Sequence, residues 1–265
     1  MMVLLKQQWR SDRGTILTWC ITVAFLTWMT SGLYQVLNES GMLTEFQNLV
    51  QAMPVAIRAL FGPEGFDMFG TFVASIEYEA LMSIAFMIFL ATYVPGLISK
   101  EIDQRSSEFL LALPVKRSAV LGARWLSLAI SMAIMTATQW VTLVLVTGDQ
   151  AQPLRYLWAS TNMYLLFLEV GTLLLLVSVF VDDYPKSAGV SAGLVVLLFF
   201  YHGTTEQATG FLSTVRELLP FARFNSDAII SRGTVPGTDL LLLVLGTAAL
   251  FYLATKAFER KQVIG

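Results

Sequence analysis

Six runs of apolar residues, nearly free of charge, punctuate the chain at Ile16–Leu37, Ala80–Ser99, Trp125–Thr147, Tyr156–Val181, Ser187–His202 and Leu240–Phe258. A helix that crosses a bilayer needs about 20 such residues. Five runs meet that length. The run Ser187–His202, at sixteen residues, is short. It must tilt little, extend into the following "GTTEQ", or be buried against its neighbours. Glu169 breaks the fourth run, and Lys256 lies near the end of the sixth, where a long stem lets its amine reach the interface. The pattern predicts an all-α integral membrane protein with six transmembrane helices in one domain, residues 1–265. No low-complexity segment and no repeat of 20–50 residues subdivides it.

The polar stretches between runs carry periodicity of their own. In "LTEFQNLVQAMPVAIRALFG" the apolar positions 43, 46, 49/50, 53, 57 and 60/61 form a helical stripe, with Pro54 placed to open a second short helix. "FLSTVRELLPFARF" repeats the spacing at 211/212, 215 and 218/219. Both segments are predicted as amphipathic helices on the bilayer surface, as a cap or in contact with substrate.

Composition sharpens the class. The chain is 55% hydrophobic and 14% charged, against about a quarter charged in soluble domains. A net charge of −2 offers phosphates no basic field, so nucleic acid is not a partner. The single cysteine, Cys20, makes no internal disulfide, and no metal-ligand cluster is visible. Lys6, Arg10 and Arg13 precede a 22-residue run too long for a signal-peptide core, which reads as an uncleaved first span. With the N-terminus inside, twelve Lys and Arg fall on the inner side and five on the outer, while the acids divide seven to eleven. The positive-inside rule then makes both termini cytoplasmic, in a cell (plasma or inner) membrane.

That orientation exposes "EIDQRSSEFLLALPVKRSAVLGARW", residues 101–125, to the cytoplasm. Ser106 or Ser107 can cap a short helix that Pro114 ends, presenting Phe109, Leu110 and Leu113 between charges. Such a patch either docks a partner or lies on the inner leaflet. The segment resembles the loop between the second and third spans of ABC-2-type ABC transporter permeases. Glu101, Glu108, Leu110, Leu111, Pro114, Val115, Arg117 and Arg124 match the pattern. Ser106 and Ser107 stand where Gly-Thr is usual, and Lys116 where Ser is usual. "ALFGPEGFDMFGTF", "ELLPFARFNSDAIISRG" and "KAFERKQVIG" extend the resemblance along the chain.

The resemblance implies that Glu101, Glu108, Phe109, Leu110, Leu113, Pro114 and Arg117 form a coupling helix seated in a separate ATP-binding subunit. Two such subunits and a second permease chain, identical or not, would complete the transporter. The chain contains no G-x-x-x-x-G-K-[ST] motif, so it would bind no cofactor itself; ATP and Mg²⁺ would sit on the partner. The pathway in such permeases lies between the two halves, with spans two and five prominent. An exporter of an amphipathic or hydrophobic compound is the function implied.

Several polar residues fall inside spans. Glu169 either binds a cation or proton or is a structural carboxyl meeting Gln139. Gly189 and Gly193, with Ser187 and Ser191, form a small-residue face for packing within the chain or between subunits. His202, with Glu206, either gates a substrate or is solvated. Asp182 and Asp183 occupy a tight turn, touching the ATPase or solvated. Trp9, Trp19, Trp28, Trp125, Trp140 and Trp158 mostly sit near the predicted span ends, as an aromatic belt does. An intramembrane hydrolase would need Ser187 or Ser191 beside His202, but eleven to fifteen helical residues separate them by about 16–22 Å. A membrane scaffold that binds a cytoplasmic partner through Phe109–Leu113 is the alternative to transport.

Overall fold

The computed structural model describes residues 2–54, 69–103, 117–148, 152–205 and 209–260. Among them no strand occurs, and six helices are long and apolar enough to cross a membrane. These are α1 (Met2–Glu39), α3 (69–103), α4 (Arg117–Thr147), α5 (Pro153–Phe180), α6 (Tyr184–Thr204) and α9 (Gly237–Arg260). Between them lie α2 (Leu43–Gln51), α7 (Phe211–Leu218), a 3₁₀ turn (Pro220–Arg223) and α8 (Ser226–Arg232). An even number of crossings puts both termini on one side, called here the terminal side; α2, α7 and α8 lie on the other, the loop side.

The fold is an all-α membrane bundle built around α3 and α5, the most buried spans. Glycine allows their closest approach. At Gly171 of α5 a Cβ would stand 3.0 Å from Leu90 of α3 and 3.0 Å from Leu128 of α4, so the three helices cross where a side chain is missing. Phe86, Phe89, Leu128, Met132, Phe167 and Leu174 fill the surrounding core. Around this pair α1 packs on α4, α6 on α3, and α9 on α5. The outer faces of α1, α6 and α9 stay exposed and apolar, as lipid-facing helices do.

Spans begin and end for readable reasons. α6 starts at Tyr184, three residues before the apolar run, because Asp183 accepts from the Lys186 backbone N–H at 2.8 Å and Pro185 occupies the first turn. With Gly203 and Thr204 added at the far end, the short run becomes a 21-residue helix of about 31 Å, enough to cross. Where α5 ends, Ser99 of α3 donates to the carbonyls of Ser178 (3.3 Å) and Val181 (2.8 Å), acceptors the helix itself no longer uses. Near the terminal side, Tyr93 donates to Asp12 at 2.6 Å and ties α3 to α1.

The largest departure from the apolar pattern is in α3. Its helix begins at Phe69, eleven residues before Ala80, and winds as a π-helix over Val73–Met82. The wider turn leaves carbonyls for side chains. Ser83 donates to Tyr78 O, five residues back, at 2.9 Å, and Ser226 of α8 donates to Ala74 O at 3.0 Å. Glu77 and Glu79, counted above with the outer loop, therefore belong to a spanning helix. The outer acids fall from eleven to nine, and the charge asymmetry keeps its sign.

The loop-side helices divide into surface and wedge. α2 forms as its stripe predicts and places Val50 against Tyr34, Leu37, Phe72 and Ile76; the helix predicted from Pro54 falls outside the described residues. α7 lies on the surface, with Phe211 80% and Leu218 72% exposed. The following Pro220 and Phe221 are buried instead. Phe221 packs between Phe167 of α5 and Phe199 of α6, at ring distances of 6.0 and 5.6 Å. Arg155 then holds α8 to α5 by donating to the carbonyls of Ile230 (3.2 Å) and Ser231 (3.3 Å). Among the tryptophans, Trp125 leaves the belt. α4 starts at Arg117, so Trp125 sits two turns inside it, donating to Thr172 at 2.9 Å and packing on Phe251.

Candidate functional site

The π-helical turn creates a polar centre that joins four spans. Glu77 is fully buried, and its Oε1 accepts from Thr27 of α1 at 3.0 Å and from the Gln139 amide of α4 at 2.7 Å. Ser160 of α5 donates to Gln139 Oε1 at 2.9 Å and lies 2.9 Å from the Tyr78 hydroxyl. Tyr78 also donates to the Tyr156 carbonyl at 3.1 Å. Every donor to Glu77 is neutral, and its Oε2 has no partner among the described residues. In a bilayer such bonds hold helices together because no water competes for them. Two residues further, Glu79 accepts from the Ser226 hydroxyl at 2.7 Å and its N–H at 3.3 Å, which docks α8 on α3.

Gln139, the partner considered for Glu169, is thus committed to Glu77 and Ser160. Glu169 faces α9 instead. Its carboxyl presses on Gly246, where a Cβ would meet Oε1 well inside contact distance and Cδ at 2.7 Å. Arg223 of the 3₁₀ turn is the charged side chain whose field reaches Glu169, without an ion pair closing between them. Glu169 Oε2 and Arg223 Nε are both buried without a hydrogen-bond partner among the described residues.

The remaining predicted residues separate. Ser187 donates to Ser178 at 3.2 Å and fastens α6 to α5. Ser191 is fully buried. His202 lies under the wedge, its carbonyl accepting from Arg216 at 3.2 Å and its ring 6.2 Å from that of Phe221. Among the described residues, no atom beyond their own helix backbone and chain neighbours lies within 4 Å of a Cβ position at Gly189 or Gly193, so that face is left unpacked by them. Asp183 is the helix cap described above, and the bond from the Lys186 backbone N–H holds its carboxyl below the ordinary carboxylate value. Glu206 falls outside the described residues.

Of the patch predicted to face the cytoplasm, Glu108, Phe109, Leu110, Leu113 and Pro114 fall outside the described residues. Glu101 lies in the last turns of α3 and Arg117 opens α4, and these two helix ends lie on the terminal side. Between α3 and α6, spans two and five, runs an apolar groove of about 260 Å³. Ile84, Met87 and Ala91 line one wall, and Ala192, Val195 and Phe199 the other. Glu169, Gln139, Ser187, Ser191 and His202 do not line it.

Sequence reasoning missed the Glu77 centre because two carboxyls within three residues, Glu77 and Glu79, end any hydropathy window. The signal available was small or apolar residues flanking them, from Val73 to Ser75 and from Ala80 on.

A family model described as ABC-2 family transporter protein matches residues 2–263. No curated protein matches the chain. The match spans nearly all of the sequence, and the chain belongs to that family: it is a transmembrane subunit of an ABC transporter.

Proposed function

Starting from that membership, we propose that the chain is the permease of an ATP-driven exporter of an amphipathic or hydrophobic small molecule. ATP is hydrolysed on a separate subunit, present in two copies. Residues Glu101, Glu108, Phe109, Leu110, Leu113, Pro114 and Arg117 transmit its motion, as helices packed in rigid bodies can. A second permease chain completes the pathway, and both termini face the cytoplasm of a cell (plasma or inner) membrane. The unpacked face at Gly189 and Gly193 supports a close contact with another subunit.

The observation that carries the substrate class is the groove between α3 and α6. Its walls are apolar throughout, with Ile88 and Val196 exposed at its mouth, and it lies on the two spans that line the pathway in such permeases. A hydrocarbon surface selects for compounds that already partition into the membrane.

The test is uptake of a lipophilic fluorescent dye into inside-out vesicles holding the chain with its ATPase. Export predicts ATP-dependent accumulation, reduced when Ala192→Trp fills the groove while the ATPase stays bound. Unchanged accumulation in that variant would move the pathway elsewhere. ATP hydrolysis without movement of any lipophilic dye would defeat the substrate class.

A further inference from the structure

On the terminal side, α5 and α9 end next to each other and leave a groove of about 630 Å³ between their last turns. That volume is within the roughly 300–1,000 Å³ of small-molecule sites. Leu176, Val179, Phe180 and Leu253 make its floor, and Lys256 and Arg260 its rim. The floor is bare: Phe180 is 70% and Leu253 52% exposed. The rim is cationic. Lys256 and Arg260 stand four residues apart on one face of α9. The Lys256 amine is 3.1 Å from Glu259 Oε2 and 5.9 Å from the Tyr252 ring centroid. Arg260 makes no hydrogen bond or ion pair among the described residues. Counting Lys256, Arg260 and Glu259, the rim keeps a charge of +1, and Lys261 follows in sequence.

We propose that this groove holds one anionic phospholipid of the terminal-side leaflet, its acyl chain on the floor and its phosphate on Arg260 and Lys256. The leaflet is the cytoplasmic one if the orientation proposed above holds; the site itself does not depend on it. Basic residues in a last helical turn also complement the helix dipole. That explains the charges, but it explains neither the groove nor the uncovered Phe180 and Leu253. A hydrocarbon floor that meets a cationic rim at the end of a 24-residue span matches one molecule with both an acyl chain and a negative headgroup. A zwitterionic headgroup would set its own cation against Arg260.

The test is native mass spectrometry of the purified, delipidated complex, titrated with phosphatidylglycerol, phosphatidylcholine of the same chains, or glycerol 3-phosphate. One phosphatidylglycerol per permease chain should be retained, the other two should not. Each charge removed weakens retention about fivefold, so Lys256→Gln/Arg260→Gln should lose it about 25-fold. Lys256→Arg/Arg260→Lys should retain the lipid, which separates charge from folding. Equal retention of the two phospholipids, or of phosphatidylglycerol by wild type and the double Gln variant, overturns the proposal. So does retention of glycerol 3-phosphate alone, or crosslinking of Leu253→Cys to a protein chain. The same spectra count ATPase subunits, so loss of the lipid site with the ATPase still bound leaves the permease reading untouched.

Discussion

Removing the Glu77 carboxyl should cost more than neutralising it, by an amount the hydrogen bonds bound. Glu77→Ala strands two donors, Thr27 and the Gln139 amide. Thr27 has a refuge, because other threonines of this bundle donate four residues back, as Thr30 does to Leu26 O. Gln139 is fully buried, so an amide that loses the Glu77 acceptor costs about 1–3 kcal/mol. The space left by the side chain adds to this, for a total of about 2–4 kcal/mol. Glu77→Gln keeps an acceptor at Oε1 and puts its amide where Oε2 already lacks a partner, so the change stays below about 1 kcal/mol. For a chain of this length, about 2–4 °C of Tm accompanies each kcal/mol. Thermal unfolding in detergent should therefore show Glu77→Ala about 4–16 °C lower and Glu77→Gln within about 4 °C of wild type. In a double-mutant cycle, Gln139→Leu should recover about 1–3 kcal/mol in the Glu77→Ala background. Equal Tm values for the Ala and Gln variants, or strict additivity with Gln139→Leu, would refute the network as a tie between spans.

Two further outcomes follow from close contacts. Gly246→Ala drives a methyl into the Glu169 carboxyl and should cost about 1–3 kcal/mol, relieved in a Glu169→Ala background; an equal loss in both backgrounds would put the clash elsewhere. The Asp183 cap has a carboxyl held below its ordinary value, so its contribution is complete above that value and fades as pH falls through the folded one. Amide exchange at Lys186 should accelerate in strong acid for wild type, and Asp183→Asn, which keeps the acceptor, should remove that pH dependence.

All six spans were legible as charge-poor runs because lipid contact and burial both demand apolar side chains. The limits of two of them show what composition leaves out. α6 reaches full length through Asp183 and Pro185, whose contribution is backbone geometry rather than hydrophobicity. α3 conceals its first turns because Glu77 and Glu79 accept hydrogen bonds from Thr27, Gln139 and Ser226, which lie 50, 62 and 147 residues away. Such partners appear once the chain is folded. The same distance explains why the sequence offers Gln139 as a possible partner of Glu169 and gives no sign of its bond to Glu77. The Phe221 wedge reads as one more amphipathic turn, since nothing local reports that Phe167 and Phe199 enclose it.

Coupling through residues 101–117 is the central claim, and co-purification tests it most directly. The tagged chain, extracted from its native membrane in mild detergent, should bring down a nucleotide-binding chain identified by mass. Phe109→Ala/Leu110→Ala should lose that chain while the permease stays monodisperse. Retention of the ATPase by the double variant would move the coupling surface off this segment. The absence of any nucleotide-binding chain from wild type, even after crosslinking, would contradict the account of an ATP-driven permease.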